Sequence, residues 1–523
     1  MTSSETDDAR IQERVFAFLT DSKQHPCVHR IDTHAASVFL EGARALKIKR
    51  AVRFPFLDYS SLAKRKAACE EEIRINRRFA PKIYHRVVPI TRAENGSLSL
   101  DGDGTPVEYA IEMTRFDERQ TIDHLAEAGP LDPGLVDAIA DAVAASHAVS
   151  PCADGGSWTS SIPHLIQRNS AALHALGSFP GSFAPAAIGD LESASQAAFA
   201  RVKNLLDTRG QSGFVRRCHG DLHLANIVLI DGKPVLFDAI EFDEAIATVD
   251  VLYDLAFPLT DFLRYGRPEA ANRLLNRYLA ITPPENTRAL AALPLLMSIR
   301  AAIRAHVVLA RLKRADSNTD KTAIAATSRR YFDLACTLIH PPAPILIAVG
   351  GLSGTGKSVL ARAIAPLIPA PPGAVILRSD VLRKQLFGVG ETDKLPASAY
   401  EPEVHARIYE VLLDRAVEIL SQGHSVVVDA VSAKEEERNA IREAARKLGV
   451  RFAGFFLVAD LATRQKRIAG RSADASDATT GIAAVQESYQ IGTVDWTVVD
   501  AKGTAEALVR RCEAGIARIA AHE

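Results

Sequence analysis

The chain has 523 residues, too many for one ordinary core, and typical domain sizes predict about three units or two large ones. Its 62 basic and 63 acidic residues leave a formal charge of -1, which excludes a global field that would draw it onto nucleic acid or an anionic membrane. The 6 cysteines, Cys27, Cys69, Cys152, Cys218, Cys336 and Cys512, lack C-x-x-C spacing, so reduced thiols and a cytoplasmic address are expected in place of a disulfide frame or a zinc site.

The N-terminus, MTSSETDDAR, is polar and acidic, unlike a signal peptide. Ile11, Val15, Phe16 and Leu19 then share one face, which predicts a short amphipathic helix ending near His25-Pro26. SVFLEGARALKIKRAV is two β-rich runs joined at Glu41-Gly42, a hairpin with Lys47 and Lys49 on one strand face. Either lysine suits a nucleotide's phosphates. The charged helix from Leu62 to Phe79 follows, and its Glu70, Glu71 and Glu72 include a candidate partner for that lysine. KIYHRVVPI and VEYAIEMTRF, with turns at Glu94-Asn95-Gly96 and Asp101-Gly102-Asp103-Gly104 between them, complete an antiparallel sheet.

From Gln120 to about residue 205 the chain is Ala- and Leu-rich with helical period, so a helical lobe follows a β lobe. Phe214 to Asp243, FVRRCHGDLHLANIVLIDGKPVLFDAIEFD, then holds H-x-D-x-x-x-x-N at His219, Asp221 and Asn226. After a turn at Asp231-Gly232 the strand PVLFD ends on Asp238. This spacing lets Asp221 orient an acceptor hydroxyl while Asn226 and Asp238 converge from two hairpin strands on a Mg²⁺ ion. The most apolar helix, around Ala289 to Leu312, carries Arg300, Arg304 and His306, so no membrane span is expected.

On these motifs, residues from about 30 to 335 resemble the aminoglycoside phosphotransferase and choline kinase-like family, relatives of the protein kinases. The resemblance implies Asp221 as catalytic base, Asn226 and Asp238 as metal ligands, Lys47 in Ala45-Leu46-Lys47 as the nucleotide lysine and Glu72 as its helix partner. Asp250 and Asp254, in DVLYDLA, are implied braces of the catalytic loop. The chain departs from protein kinases where Gly220 replaces the Arg of H-R-D, where Ala239-Ile240 follows the metal Asp, and in lacking A-P-E and a complete G-x-G-x-x-G before Lys47. A protein substrate is therefore not expected.

HPPAP at His340 to Pro344 is a Pro-rich joint, and the predicted domains are 1–340 and 341–523. Past the joint, ILIAVGGLSGTGKS is an apolar strand breaking into G-x-x-x-x-G-K-S, followed by the helical VLARAIAPLI. Gly351, Gly354 and Gly356, with Ser353 and Thr355 between them, leave bare backbone for a polyphosphate. Lys357 adds a charge for the β- and γ-phosphates, and Ser358 a hydroxyl for Mg²⁺. VILRSD, SVVVDA and FAGFFLVA alternate with helices, giving a doubly wound parallel sheet. Functional groups sit at strand ends in such sheets, which selects Asp380, for which a helix cap is the alternative reading, and Asp429, assigned to the metal. Arg464, Arg467 and Arg471 recur at helical spacing, as a solvated face or as a lid over ATP.

Residues 345 to 523 resemble the small P-loop kinases related to gluconate kinase, polynucleotide 5′-kinase and zeta toxin. By that resemblance Asp380 deprotonates the acceptor hydroxyl, Arg383 holds the acceptor, and Arg464, Arg467 or Arg471 forms the lid. The whole order is similar to bacterial two-domain proteins that join a phosphotransferase to an ATP-binding kinase. The expected fold is an α+β bilobal kinase-like domain followed by an α/β P-loop domain. The expected function is ATP- and Mg²⁺-dependent transfer to a small-molecule hydroxyl, with no nucleic-acid partner. Two alternatives stand beside it: a P-loop domain that is only a regulatory switch, and a nucleic-acid 5′-kinase using Arg74, Arg77, Arg78, Lys82 and Arg86.

Overall fold

The computed structural model describes residues 3–521 except 24, 26, 55–56, 315–316 and 471–474. These form two compact units, one made of 1–161 with 207–261, the other of 162–206 with 262–523.

In the first unit the hairpin Ala36–Glu41 and Arg44–Lys49 turns at Gly42, whose φ of 56° is in the left-handed region that glycine enters at little cost. It joins a six-stranded antiparallel sheet in the order His29–Asp32, Ala36–Glu41, Arg44–Lys49, Thr105–Thr114, Tyr84–Arg92, Leu98–Leu100. The helix Ser3–Leu19 covers one face, with Val15, Phe16 and Leu19 packed on Phe39, Leu46 and Ile48. The helix Leu62–Asn76 covers the other, where Cys69 joins Ala45, Ile83, Tyr84 and Ile111. Each such fully buried Leu, Ile or Phe stabilises the fold by about 1.5–3 kcal/mol. Alternation along Arg44–Lys49 therefore sends Leu46 and Ile48 to one core and Lys47 and Lys49 toward Leu62–Asn76.

The second unit contains a five-stranded sheet, all parallel, in the order Val375–Arg378, Val426–Asp429, Ile345–Gly351, Arg451–Val458, Thr497–Asp500. Ile345–Gly351 is buried along its whole length at the centre, as a parallel strand covered by helices on both faces must be. Its carboxyl end carries the loop leading into the helix Lys357–Ile364. Val375–Arg378 is an edge strand, and the helix Pro268–Ile281 covers it. The Asn276 carboxamide accepts from Ile376 N–H at 2.7 Å and donates to Ala374 O at 3.1 Å, as a neighbouring strand would. Asn272 also donates to Ala374 O, at 3.0 Å. These contacts are why the helices 262–339 group with the sheet beyond the Pro-rich joint.

The stretch Leu290–Lys313 is long and apolar enough to cross a membrane by length and composition, but 72% of its most apolar window is buried inside the protein. The cysteines are free of disulfides.

Candidate functional site

In the first unit Lys47 Nζ lies 2.8 Å from Glu72 Oε1 and 2.7 Å from Asp238 Oδ1. Burial disfavours its ammonium, but Asp238 and Glu72 outweigh that and hold the Lys47 pKa well above its ordinary value. Glu72 is fully buried and pairs with Lys49 as well, which in turn contacts Glu241. The sequence left the choice between the two lysines open; being two residues apart on one strand face, they share one carboxylate. Burial pushes the Glu241 carboxyl above its ordinary value, and Lys49 only partly offsets this.

The hairpin Ile227–Ile230 with Lys233–Leu236 delivers the remaining groups. Asp238 has a φ of 61°, an uncommon backbone conformation for a non-glycine residue. Its N–H donates to Tyr84 Oη at 3.1 Å, and Asn76 clamps the next residue, accepting from Ala239 N–H at 2.7 Å. Asn226 Nδ2 donates to Asp221 O at 2.9 Å, and His223 Nε2 stands 3.3 Å from the Asp221 carboxylate. Asp254 accepts from Gly220 N–H at 2.9 Å and His219 N–H at 3.3 Å, with His147 Nε2 3.1 Å from the same carboxylate. Asp250 instead takes a two-pronged pair from Arg209 at 2.7 and 2.8 Å. Gly220 has a φ of 82°, and a Cβ there would sit 2.7 Å from that of Ala247; no arginine fits where the protein kinases have theirs.

In the second unit the loop 351–358 holds Gly351, Gly354 and Gly356 at φ of 130°, 85° and 100°. A Cβ on Gly351 would lie 2.4 Å from Leu457 O, and one on Gly354 2.6 Å from Arg464 O. Thr355 Oγ1 donates to Leu352 O at 2.8 Å, and Lys357 Nζ lies 3.3 Å from the same carbonyl. A cavity of about 940 Å³ opens beside the loop, lined by Ser353, Lys357 and Ser358 and, across from them, by Asp380, Arg383 and Asp429. Asp380 is not the residue that ends its strand: Val375–Arg378 stops two residues earlier, and Asp380 lies in the first turn of the helix Ser379–Leu386, which Arg378 precedes. Burial and then Asp429 push the Asp380 carboxyl up against the opposing pull of Lys357 and Ser476. Asp429 ends Val426–Asp429 and lies 3.2 Å from Arg378 Nε.

Arg383 donates to Ala399 O at 2.6 Å and sits 4.9 Å from the Tyr400 ring centre. The helix Leu461–Ala469 carries two of the three arginines read from its spacing. Arg464, fully buried, donates to Ala483 O at 2.7 Å and Glu487 at 2.6 Å. Arg467 donates to Thr355 O at 3.1 Å and Ala501 O at 2.7 Å. Arg467 thus ties the loop to the Ala501 backbone. Arg471 lies outside the described residues.

Sequence reasoning missed two groups in the cavity wall. His405 pairs with Glu437 at 2.8 Å, and Gln486 bonds to Ser353 twice. Both partnerships join segments far apart in the chain, so no local spacing signals them.

Two sequence-family models match the chain. The sequence model of the phosphotransferase enzyme family matches residues 30–293, and that of an AAA domain matches residues 346–490. Over 483 residues the chain is 28% identical to uncharacterized proteins of Mycobacterium tuberculosis and Mycobacterium bovis, covering 90% of this chain and 91% of each of theirs. A gluconokinase from Sinorhizobium meliloti is 26% identical over 34% of this chain and 94% of its own, with a TM-score of 0.25. An ethanolamine kinase from Plasmodium vivax is 12% identical over 61% of this chain and 86% of its own, with a TM-score of 0.37. A kinase-like phosphotransferase domain is thus followed by a P-loop domain, the combination of an ATP-dependent kinase. With residues 30–293 matched, just over half of its 523 residues, the chain belongs to the phosphotransferase enzyme family.

Proposed function

We propose that the protein has two Mg²⁺-dependent ATP sites, one in residues 1–340 and one in 341–523, each transferring the γ-phosphoryl group to a hydroxyl of a small polar acceptor such as a sugar or an aminoglycoside. The observation that carries this reading is the cavity in which Ser353, Lys357 and Ser358 face Asp380 and Arg383, phosphate-binding groups on one side and a carboxylate with a cation on the other. The loop also fits the nucleotide: Gly351 and Gly354 sit where a Cβ would clash, leaving the bare backbone that cradles polyphosphate. Bound Mg-ATP supplies the phosphoryl group and the cation that offsets its charge.

The chain's own residues do the rest. Lys357 neutralises phosphate charge, Ser358 and Asp429 hold the cation, and Asp380 takes the proton of the acceptor hydroxyl. Arg383, fixed by Ala399 O and the Tyr400 ring, orients the acceptor. Arg467 holds the loop in shape through Thr355 O. In the first site Lys47, kept in place by Glu72, meets phosphate, Asn226 and Asp238 hold the cation, and Asp221 takes the hydroxyl proton.

The test uses the full chain, ATP, and a panel of sugars, aminoglycosides, nucleosides and amino alcohols. Asp221→Asn is expected to abolish one acceptor-dependent release of ADP and Asp380→Asn another, each slowing by about 10²-fold or more. Should every acceptor-dependent turnover vanish in Asp221→Asn and none respond to Asp380→Asn, the P-loop domain is a nucleotide switch and the two-enzyme reading is wrong.

A further inference from the structure

One wall of the cavity has no part in the roles above: the segment 479–490, which contributes Ile482, Val485 and Gln486. Its helix Thr480–Val485 passes into the turn Gln486–Ser488. There the Gln486 carboxamide accepts from Ser353 N–H at 2.8 Å and donates through Nε2 to Ser353 Oγ at 3.0 Å. Gln486 is 6% and Ser353 8% exposed, so this reciprocal pair is made away from bulk water, where a polar group left unmatched is costly. Ser353 belongs to the anion-binding loop, and with Lys357, Ser358 and Gln486 it lines the cavity that also holds Asp380. The phosphate nearest the acceptor in a bound nucleoside triphosphate is the terminal one. Gln486 therefore stands on the end of the cradle where a triphosphate and a diphosphate differ.

The segment is tied to the loop a second time. Arg464 grips it through Ala483 O and Glu487, and the Arg464 backbone closes on Gly354, where a Cβ would come within 2.6 Å of its carbonyl. Loop and segment are thus one mechanical piece.

We propose that Gln486 is the positioning residue that reads the terminal phosphate: its neutral carboxamide, anchored on Ser353, supplies a donor to a triphosphate and none to a diphosphate, and so favours ATP over ADP at this site. The proposal rests on the reading of 351–358 as a nucleotide loop. Gln486→Glu keeps the shape but replaces the donor with negative charge; Gln486→Met removes the polar group at similar volume.

The experiment is calorimetric titration of the full chain with Mg-ATP and Mg-ADP, the C-terminal site being the binding component that Lys357→Ala removes. Gln486→Glu and Gln486→Met are each checked for folding by thermal melting. In both, the affinity of that component for ATP is expected to fall about tenfold or more, as for the loss of a hydrogen bond to a charged group, while its affinity for ADP stays within about twofold. The fall should be larger for Gln486→Glu. Equal loss of ATP and ADP affinity in a folded Gln486→Met, or no loss of either, overturns the proposal while leaving the nucleotide loop intact. If Lys357→Ala removes no binding component, the loop reading fails and this inference falls with it.

Discussion

Asp380 is the residue at which chemistry and stability pull in opposite directions. Its carboxyl is pushed up by burial first and by Asp429 second, so the folded protein holds the proton more tightly than the unfolded chain does. The sign follows: stability is lost as pH rises from the unfolded value near 3.8 through the raised folded value, and the ionised carboxylate is a cost at neutral pH. Asp380→Asn is therefore expected to raise the melting temperature at pH 7, with the gain fading toward acid, while slowing transfer by about 10²-fold or more. A carboxylate that only caps its helix would instead lose about 1 kcal/mol of stability in Asp380→Ala, with transfer unchanged. Melts at several pH values beside single-turnover assays separate the two. At this scale the sequence was legible where a short motif imposes geometry, as in 351–358 and 219–226. It was silent on Gln486, whose partner is 133 residues away, and on the sharing of Glu72 by two lysines, which only the packing of strand against helix decides.

Elements place these residues, and in the first site one constraint is the left-handed backbone at Gly220. The two N–H groups held by Asp254 fix the approach to Asp221, and Ala247 leaves no room for a Cβ. Gly220→Ala should cost about 1–3 kcal/mol, the usual size for strain in that region, and should lower first-site turnover without touching the second. An unchanged melt and unchanged turnover would show that Ala247 yields and that the strain argument is wrong. The sequence announced the strands at Gly42 and Gly232 through their hairpin turns, and the run 345–351 through its short length and the glycines that follow it. It misjudged the start of the helix holding Asp380, which begins two residues earlier than a strand-ending aspartate would allow. The edge-strand role of Asn276 was hidden, since a lone asparagine on a helix carries no pattern.

For the molecule as a whole, the Pro-rich joint at 340–344 is plain in the sequence, whereas the grouping of helices 262–339 with the following sheet is not. Covalent order and contact order differ because an edge strand needs cover, and Pro268–Ile281 supplies it from outside the P-loop segment. The central claim, that one chain holds two separate nucleotide sites, is tested most directly by the stoichiometry of Mg-ATP binding to the full-length protein. Two nucleotides per chain are expected, falling to one in Lys357→Ala, to one in Asp238→Asn, and to none in the double variant. A single nucleotide per wild-type chain, or a Lys357→Ala protein that still binds two, would contradict the account.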